Sequence, residues 1–209
     1  MSETIVRVKI CGIRTAESID AAVSAGAHAI GFVRAPSSPR FVSREDLVPL
    51  VQRVPPFVCV VLVYRDSGID EITLDLRAIA PRAAIVQLHG HEDEAFASSV
   101  PATIIRALPW SAEGVRRWQA CGAIKALLLD APDPGSGVTA PWEEIAAGRA
   151  SIELPFVLAG GLDAENVARA LTLTRPEAVD VSSGVESSPG VKDSSKIAAF
   201  CKAVRRWGR

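Results

Sequence analysis

The sequence predicts an α/β protein folded as a single (β/α)8 TIM barrel, and three observations carry that prediction. Eight short apolar runs alternate with eight longer helical patterns from one end of the chain to the other. The runs are almost continuously apolar rather than alternating, as expected of parallel strands covered on both faces. The unusual polar residues and glycines collect where those runs end, the rim on which such barrels carry their active sites.

The strands are expected at Val6–Ile10, Ala29–Val33, Phe57–Val63, Ala84–Leu88, Thr103–Ala107, Ala126–Leu129, Pro155–Leu158 and Ala178–Val181. Between and after them the helical pattern predicts Ala16–Ala25, Arg44–Arg53, Ile69–Ala80, Glu92–Ser99, Ala112–Cys121, Trp142–Ala147, Ala164–Leu173 and Ser194–Trp207. The first helix has Thr15 as its N-cap, Glu17 in its first turn and Gly26 past its end. The rival architecture is an open doubly wound sheet, which usually announces a glycine-rich phosphate loop after its first strand. Here that strand runs into Lys9-Ile10-Cys11-Gly12, with no such loop. No linker or low-complexity segment divides the chain, so residues 1–209 are expected to form one catalytic domain.

Composition narrows the partners. A net charge of -1 offers no electrostatic case for a nucleic-acid or anionic-membrane partner. No apolar stretch reaches the length of a membrane span, and the first residues carry no secretory pattern. Cys11, Cys59, Cys121 and Cys201 have no metal-type spacing, so no metal is expected. They are expected to be reduced thiols in a cytoplasmic protein, with Cys59 buried in its apolar run.

The strand ends supply the candidate site. Gly160-Gly161 after strand 7 and Ser182-Ser183-Gly184 after strand 8 stand where barrels often bind phosphate. Backbone N–H groups there, with helix 7 or a short extra turn, could hold an anion, although either motif alone could be an ordinary tight turn. Cys11 is a small buried hydrophobe or, beside Lys9, a thiolate general base. Asp130 at the end of strand 6 is a turn aspartate or a carboxyl group kept protonated to act as a general acid. Arg40, stiffened by Pro39, is a solvated arginine or a bidentate clamp for a carboxylate. Lys9, Gln87 and His89 complete the substrate-binding set, His89 as a structural hydrogen-bonder rather than a catalyst.

Taken in order, several segments resemble the phosphoribosylanthranilate isomerase family of tryptophan biosynthesis. They are Lys9-Ile10-Cys11-Gly12, Ser38-Pro39-Arg40, Gln87-Leu88-His89-Gly90, Asp130 and Leu158-Ala159-Gly160-Gly161-Leu162 with Glu165-Asn166-Val167. The last is Asp180-Val181-Ser182-Ser183-Gly184-Val185-Glu186 with Pro189-Gly190 and Lys192-Asp193, and the set spans residues 6 to 205. The resemblance implies an Amadori rearrangement of a small phosphorylated substrate, without metal or organic cofactor, by a monomer or homodimer. It gives Asp130 the role of acid, Cys11 that of base, and Arg40 the anthranilate carboxylate. Departures include Arg34 in place of an apolar or aromatic residue and Gly135-Ser136-Gly137 leading to Ala140-Pro141-Trp142. Leu62, Asp66 and Ala164 also differ from the family pattern. Arg34 and the missing aromatic near Ala140 are expected to alter how an aryl ring is held. The alternatives are an isomerase of a related aryl-amine or aminoimidazole phosphosugar, or a catalytically weak barrel used as a binding module.

Overall fold

The computed structural model describes residues 5–132 and 139–208. Eight parallel strands close into a barrel in the order β1 to β8. They are β1 (Arg7–Cys11), β2 (Ala29–Val33), β3 (Cys59–Tyr64), β4 (Ala84–Leu88), β5 (Thr103–Pro109), β6 (Ile124–Asp130), β7 (Phe156–Leu158) and β8 (Ala178–Val181). Helices α1 (Ala16–Ser24), α2 (Arg44–Arg53), α3 (Ile69–Ala78), α4 (Glu94–Ser99), α5 (Ala112–Gln119), α6 (Trp142–Gly148), α7 (Val167–Thr174) and α8 (Ser194–Trp207) follow them in turn. A small hairpin of β9 (Glu186–Ser188) and β10 (Val191–Lys192) rises between β8 and α8. Closure comes from β1 pairing with β2 on one side and β8 on the other, with Lys9 opposite Asp180 in the second pairing.

Successive strand side chains point to opposite faces, and both faces are covered. Cys11, Val33, Ala35, Val61 and Val63 form one cluster of the barrel interior, and Ile105, Ala107, Leu128, Val157 and Ala159 form another. The alternate residues, among them Ile10, Phe32, Leu62, Leu88 and Leu129, join the larger core beneath the helices. This two-sided burial explains the continuous apolar runs.

Helix starts follow local capping chemistry. Thr15 Oγ1 accepts from the Ser18 amide at 3.2 Å, and the Asp93 side chain caps the Phe96 amide at 2.8 Å. Because Asp93 is that cap, α4 begins two residues later than the pattern predicts. The expected start of α7 at Ala164 is also too early. Asp163 Oδ1 instead binds the amides of Glu165 and Asn166 at 2.8 and 2.9 Å, holding a turn ahead of the helix. Strand β3 starts after the Pro55-Pro56 turn, and Phe57 lies wholly outside it, 100% exposed. Cys59, expected to be buried, is exposed at the first position of that strand. Cys11 and Cys201 are buried, and all four thiols are unpaired.

Arg34 does not reach the barrel interior. It follows the inward-facing Val33 and so points outward, where Nε and Nη2 donate to Asp75 at 2.7 and 3.1 Å. Its Nη1 donates to the Val42 carbonyl. Asp75, with no solvent exposure, also accepts from Arg44 Nε at 2.7 Å and from the Tyr64 hydroxyl at 3.0 Å. Burial first, and the Asp75 charge next, push the Tyr64 phenol well up, so it remains a donor. Ala140 lies in the main core together with Trp142 rather than at the rim. Gly135-Ser136-Gly137 falls outside the described residues.

Removing one partner of a buried ion pair leaves the other charge unpaired, which typically costs about 3–5 kcal/mol. Asp75→Ala strands the buried Arg34 guanidinium and the Tyr64 hydroxyl, so a loss of that size is expected in urea unfolding. A loss within the range of a surface pair, about 1 kcal/mol or less, contradicts this reading of the network.

Candidate active site

The carboxyl ends of the strands surround a cavity of about 300 Å³. Cys11 from β1, Gln87 and His89 from the end of β4, Asp130 from β6, and Asp180 and Ser182 from β8 all line it. Ser37, Ser38 and Arg40 approach from the loop after β2, and Arg65 from the end of β3. A volume of this order is within the range of small-molecule sites. The expected base, acid and carboxylate clamp therefore border one space.

Cys11 stands at the last position of β1, 7% exposed. Lys9, one inward position below it, donates to Asp180 Oδ2 at 2.8 Å across the closing seam. Lys9 was expected to bind substrate, but it is paired beneath the cavity and does not line it. Burial pulls the Lys9 ammonium down, yet the Asp180 charge and hydrogen bond, with Cys11, more than offset this and leave it raised. Burial pushes the Cys11 thiol up, and the nearby Lys9 cation offsets that only in part. Burial thus holds the resting thiol above its ordinary range, while the Lys9 charge beside it opposes that shift.

Asp130 is 8% exposed and ends β6. Its Oδ1 accepts from the following amide of Ala131 at 2.7 Å, and its Oδ2 lies 3.4 Å from His89 Nε2. Gly160 backs this carboxylate with φ of +82°, and a Cβ there would sit 2.5 Å from the Ala131 nitrogen and 3.0 Å from Asp130 Oδ1. A side chain at 160 would thus displace the carboxyl group. His89 is placed from below: its Nδ1 lies 3.3 Å from Gln87 Nε2. The loop just after it is gripped by Glu92, whose Oε2 accepts from Gly90 N at 2.8 Å and from Arg106 Nη1 at 2.7 Å. Glu92 Oε1 takes the amide of Asp66 at 2.8 Å, and Asp66 occupies the left-handed region that aspartate tolerates better than most residues.

Among the described residues, Gln87 Oε1, His89 Nε2 and Asp180 Oδ1 are buried polar atoms without a protein hydrogen-bond partner. All three residues line the cavity. Buried polar atoms are nearly always satisfied, so these suit a polar, hydroxyl-rich ligand. No cluster of three or more metal-ligating side chains occurs among the described residues, and none of their helices is long and apolar enough to cross a membrane.

The glycine and serine loops stand beside the cavity rather than in its wall, apart from Ser182. They interlock: a Cβ on Gly184 would lie 1.9 Å from the Leu162 carbonyl oxygen, so only glycine lets the loops after β7 and β8 meet. Helix α7 is a poorer anion site than expected, because Asp163 already occupies the amides ahead of it. The single turn at Ser183–Val185 is the alternative. Asp180, Glu186, Lys192 and Glu92 were not singled out from the sequence as site residues. Asp180, Glu186 and Lys192 stand inside the last family-like segment; Asp180 and Glu186 pair with Lys9 and Arg40, far away in the chain, whereas Lys192 pairs with Glu186 only six positions away.

A closed parallel barrel with a thiol, a carboxyl group and a guanidinium around one rim cavity defines a (β/α)8-barrel enzyme. Residues 8–203 match the family described as N-(5'phosphoribosyl)anthranilate (PRA) isomerase. The N-(5'-phosphoribosyl)anthranilate isomerase of Dechloromonas aromatica (strain RCB) is 42% identical over 206 residues, 96% of each chain. The crystal structure of phosphoribosyl anthranilate isomerase from Thermotoga maritima superposes with a TM-score of 0.87 at 36% identity, covering 97% of this chain and 100% of that one. A structure of the isomerase in complex with reduced 1-(o-carboxyphenylamino)-1-deoxyribulose 5-phosphate matches with a TM-score of 0.84 at 36% identity and the same coverage. The chain belongs to the N-(5'-phosphoribosyl)anthranilate isomerase family, and is thus an aldose–ketose isomerase of tryptophan biosynthesis.

The electrostatics of Cys11 can be read directly from thiolate ultraviolet absorbance, as the difference between the wild-type protein and Cys11→Ala. The thiol is expected to titrate above the usual cysteine range, with no thiolate signal at neutral pH in the unliganded protein. A Cys11 thiolate already present at pH 7 contradicts this.

Proposed function

We propose that Asp130 and Cys11 are the acid and base of an Amadori rearrangement that converts N-(5-phosphoribosyl)anthranilate to 1-(2-carboxyphenylamino)-1-deoxyribulose 5-phosphate. The observation that carries this is the placement of Cys11, Asp130 and Arg40 around one cavity. Asp130 donates a proton to the furanose ring oxygen as the C1–O bond breaks, and the nitrogen lone pair forms the C1=N bond of a protonated Schiff base. Cys11 gives up its thiol proton to solvent beside the Lys9 cation and, as thiolate, removes the C2 proton; Asp130 takes a proton back from solvent after turnover. The C–H electrons become the C1=C2 bond and the imine pair returns to nitrogen, giving an enolamine. Loss of the C2 hydroxyl proton and addition of one at C1 then give the ketone, so the net reaction neither consumes nor releases protons. The protonated imine itself is the electron sink.

The surroundings support this division of labour. The Lys9 cation lies next to Cys11 and favours the thiolate when it forms. The unpartnered atoms of Gln87, His89 and Asp180 are acceptors and donors for ribose hydroxyls. Arg40 holds the aryl carboxylate, and the loops at Gly160-Gly161 and Ser182-Ser183-Gly184 hold the phosphate, with the turn at Ser183–Val185 aiming its amides there. Arg34, buried against Asp75, leaves the standard aryl substrate unobstructed.

General acid–base groups typically contribute 10²–10⁴-fold each. Cys11→Ala and Asp130→Ala are expected to lower turnover of freshly generated phosphoribosylanthranilate, followed by loss of its fluorescence, by roughly that range. His89→Asn should cost less than either. Near-wild-type turnover by a folded Asp130→Ala protein would remove the acid from the scheme.

A further inference from the structure

Arg40 reaches the cavity with its guanidinium already engaged on one edge. Its Nε donates to Glu186 Oε1 at 2.8 Å and its Nη2 to Glu186 Oε2 at 2.8 Å, a bidentate pair spanning 146 positions of sequence. A guanidinium has five N–H donors. The side-on pair uses the Nε hydrogen and one Nη2 hydrogen. Both Nη1 hydrogens and the second Nη2 hydrogen remain, and one from each of these nitrogens forms the end-on fork that fits a second carboxylate bidentately.

The two residues also sit in different relations to the cavity. Arg40 lines both it and a neighbouring cavity beside Ser183 and Pro189; Glu186 lines only the neighbouring one. Glu186 thus grips Arg40 from behind. The stem of Arg40 is fixed as well, because it lies in space that only Gly12 leaves open: a Cβ at 12 would sit 2.6 Å from Arg40 Cδ. Glu186 is anchored in turn by Lys192, whose Nζ binds Glu186 Oε1 at 2.7 Å and the Ser182 carbonyl at 3.0 Å. Two cations share one carboxylate here, with Glu186 and Lys192 side chains only 4% and 1% exposed. The cluster carries an uncompensated positive charge that an incoming carboxylate would neutralise.

We propose that Glu186 is a positioning residue that holds Arg40 with its end-on fork turned to the substrate's aryl carboxylate, and so sets specificity for a carboxylated aryl amine. This rests on the assignment of Arg40 made above. The competing role is a placeholder: Glu186 occupies Arg40 until the substrate carboxylate displaces it. The two roles give opposite signs, because removing a placeholder tightens carboxylate binding and removing a positioning residue weakens it.

The test uses two inhibitors, the reduced product analogue with its aryl carboxylate and the same phenylamino phosphate without it. Glu186→Ala is expected to weaken the carboxylated analogue by about tenfold or more, the loss of one charge-assisted contact, and to leave the other within about twofold. KM should rise in parallel while kcat at saturation changes less. Glu186→Gln, which keeps the side-chain volume and an acceptor for Lys192, should show the same selective loss at a temperature well below its unfolding transition, where both analogues meet a folded protein. Tighter binding of the carboxylated analogue, or equal loss for both analogues, overturns the proposal. Arg40→Met separates the two levels. If it does not erase the preference for the carboxylated analogue, the assignment of Arg40 fails. If it does while both Glu186 variants keep the preference, only the role of Glu186 fails.

Discussion

The barrel closes where β1 meets β8, and the Lys9–Asp180 pair spans that seam at 2.8 Å with both side chains almost fully buried. Buried ion pairs are weak evidence of stability, since desolvation consumes much of the Coulomb gain. What this one does provide is a fixed charge in a low-dielectric interior. The pair keeps Lys9 cationic directly below Cys11, where the thiol would otherwise be isolated by burial. Closing the sheet also brings Ser182 against Cys11, its hydroxyl donating to the Cys11 carbonyl at 3.2 Å. The first and last strands thereby form one corner of the site.

From that corner a chain of polar contacts runs round the rim. Ser182 meets Lys192, Lys192 meets Glu186, and Glu186 meets Arg40. On the opposite side Glu92 and Arg106 grip the loop that carries His89, which faces Asp130. Arg40, Asp180 and Ser182 are held by Glu186, Lys9 and Lys192, which lie outside the cavity. Such support lets a site on loops keep its geometry.

Strand and helix order were legible because two-sided burial writes continuous apolar runs. The parity of those runs also fixes which side chains face the barrel interior. Cys11 and Lys9 share a parity and face inward, whereas Arg34 follows an inward Val33 and must face the helices. The effect on the aryl ring expected of Arg34 fails on that alternation, which turns its side chain to Asp75. Cys59 was misplaced for another reason: an apolar run does not show where its strand begins, and this one begins after two prolines. Arg40, Cys11 and Asp130 were legible as residue types at strand ends. Their partners Glu186, Lys9 and Asp180 as pairs were not, because the contacts join distant positions whose meeting depends on barrel closure.

The most direct measurement is a crystal structure of this protein with the reduced product analogue bound. The account predicts the aryl carboxylate on Arg40, the phosphate at the loops after β7 and β8, and the carbon corresponding to C2 about 3–3.5 Å from Cys11 Sγ, the separation of a near-attack geometry. Asp130 should face the oxygen side of the same ligand. A ligand bound with its carboxylate away from Arg40, or with C2 out of reach of Cys11, would contradict the assignment of acid, base and clamp together.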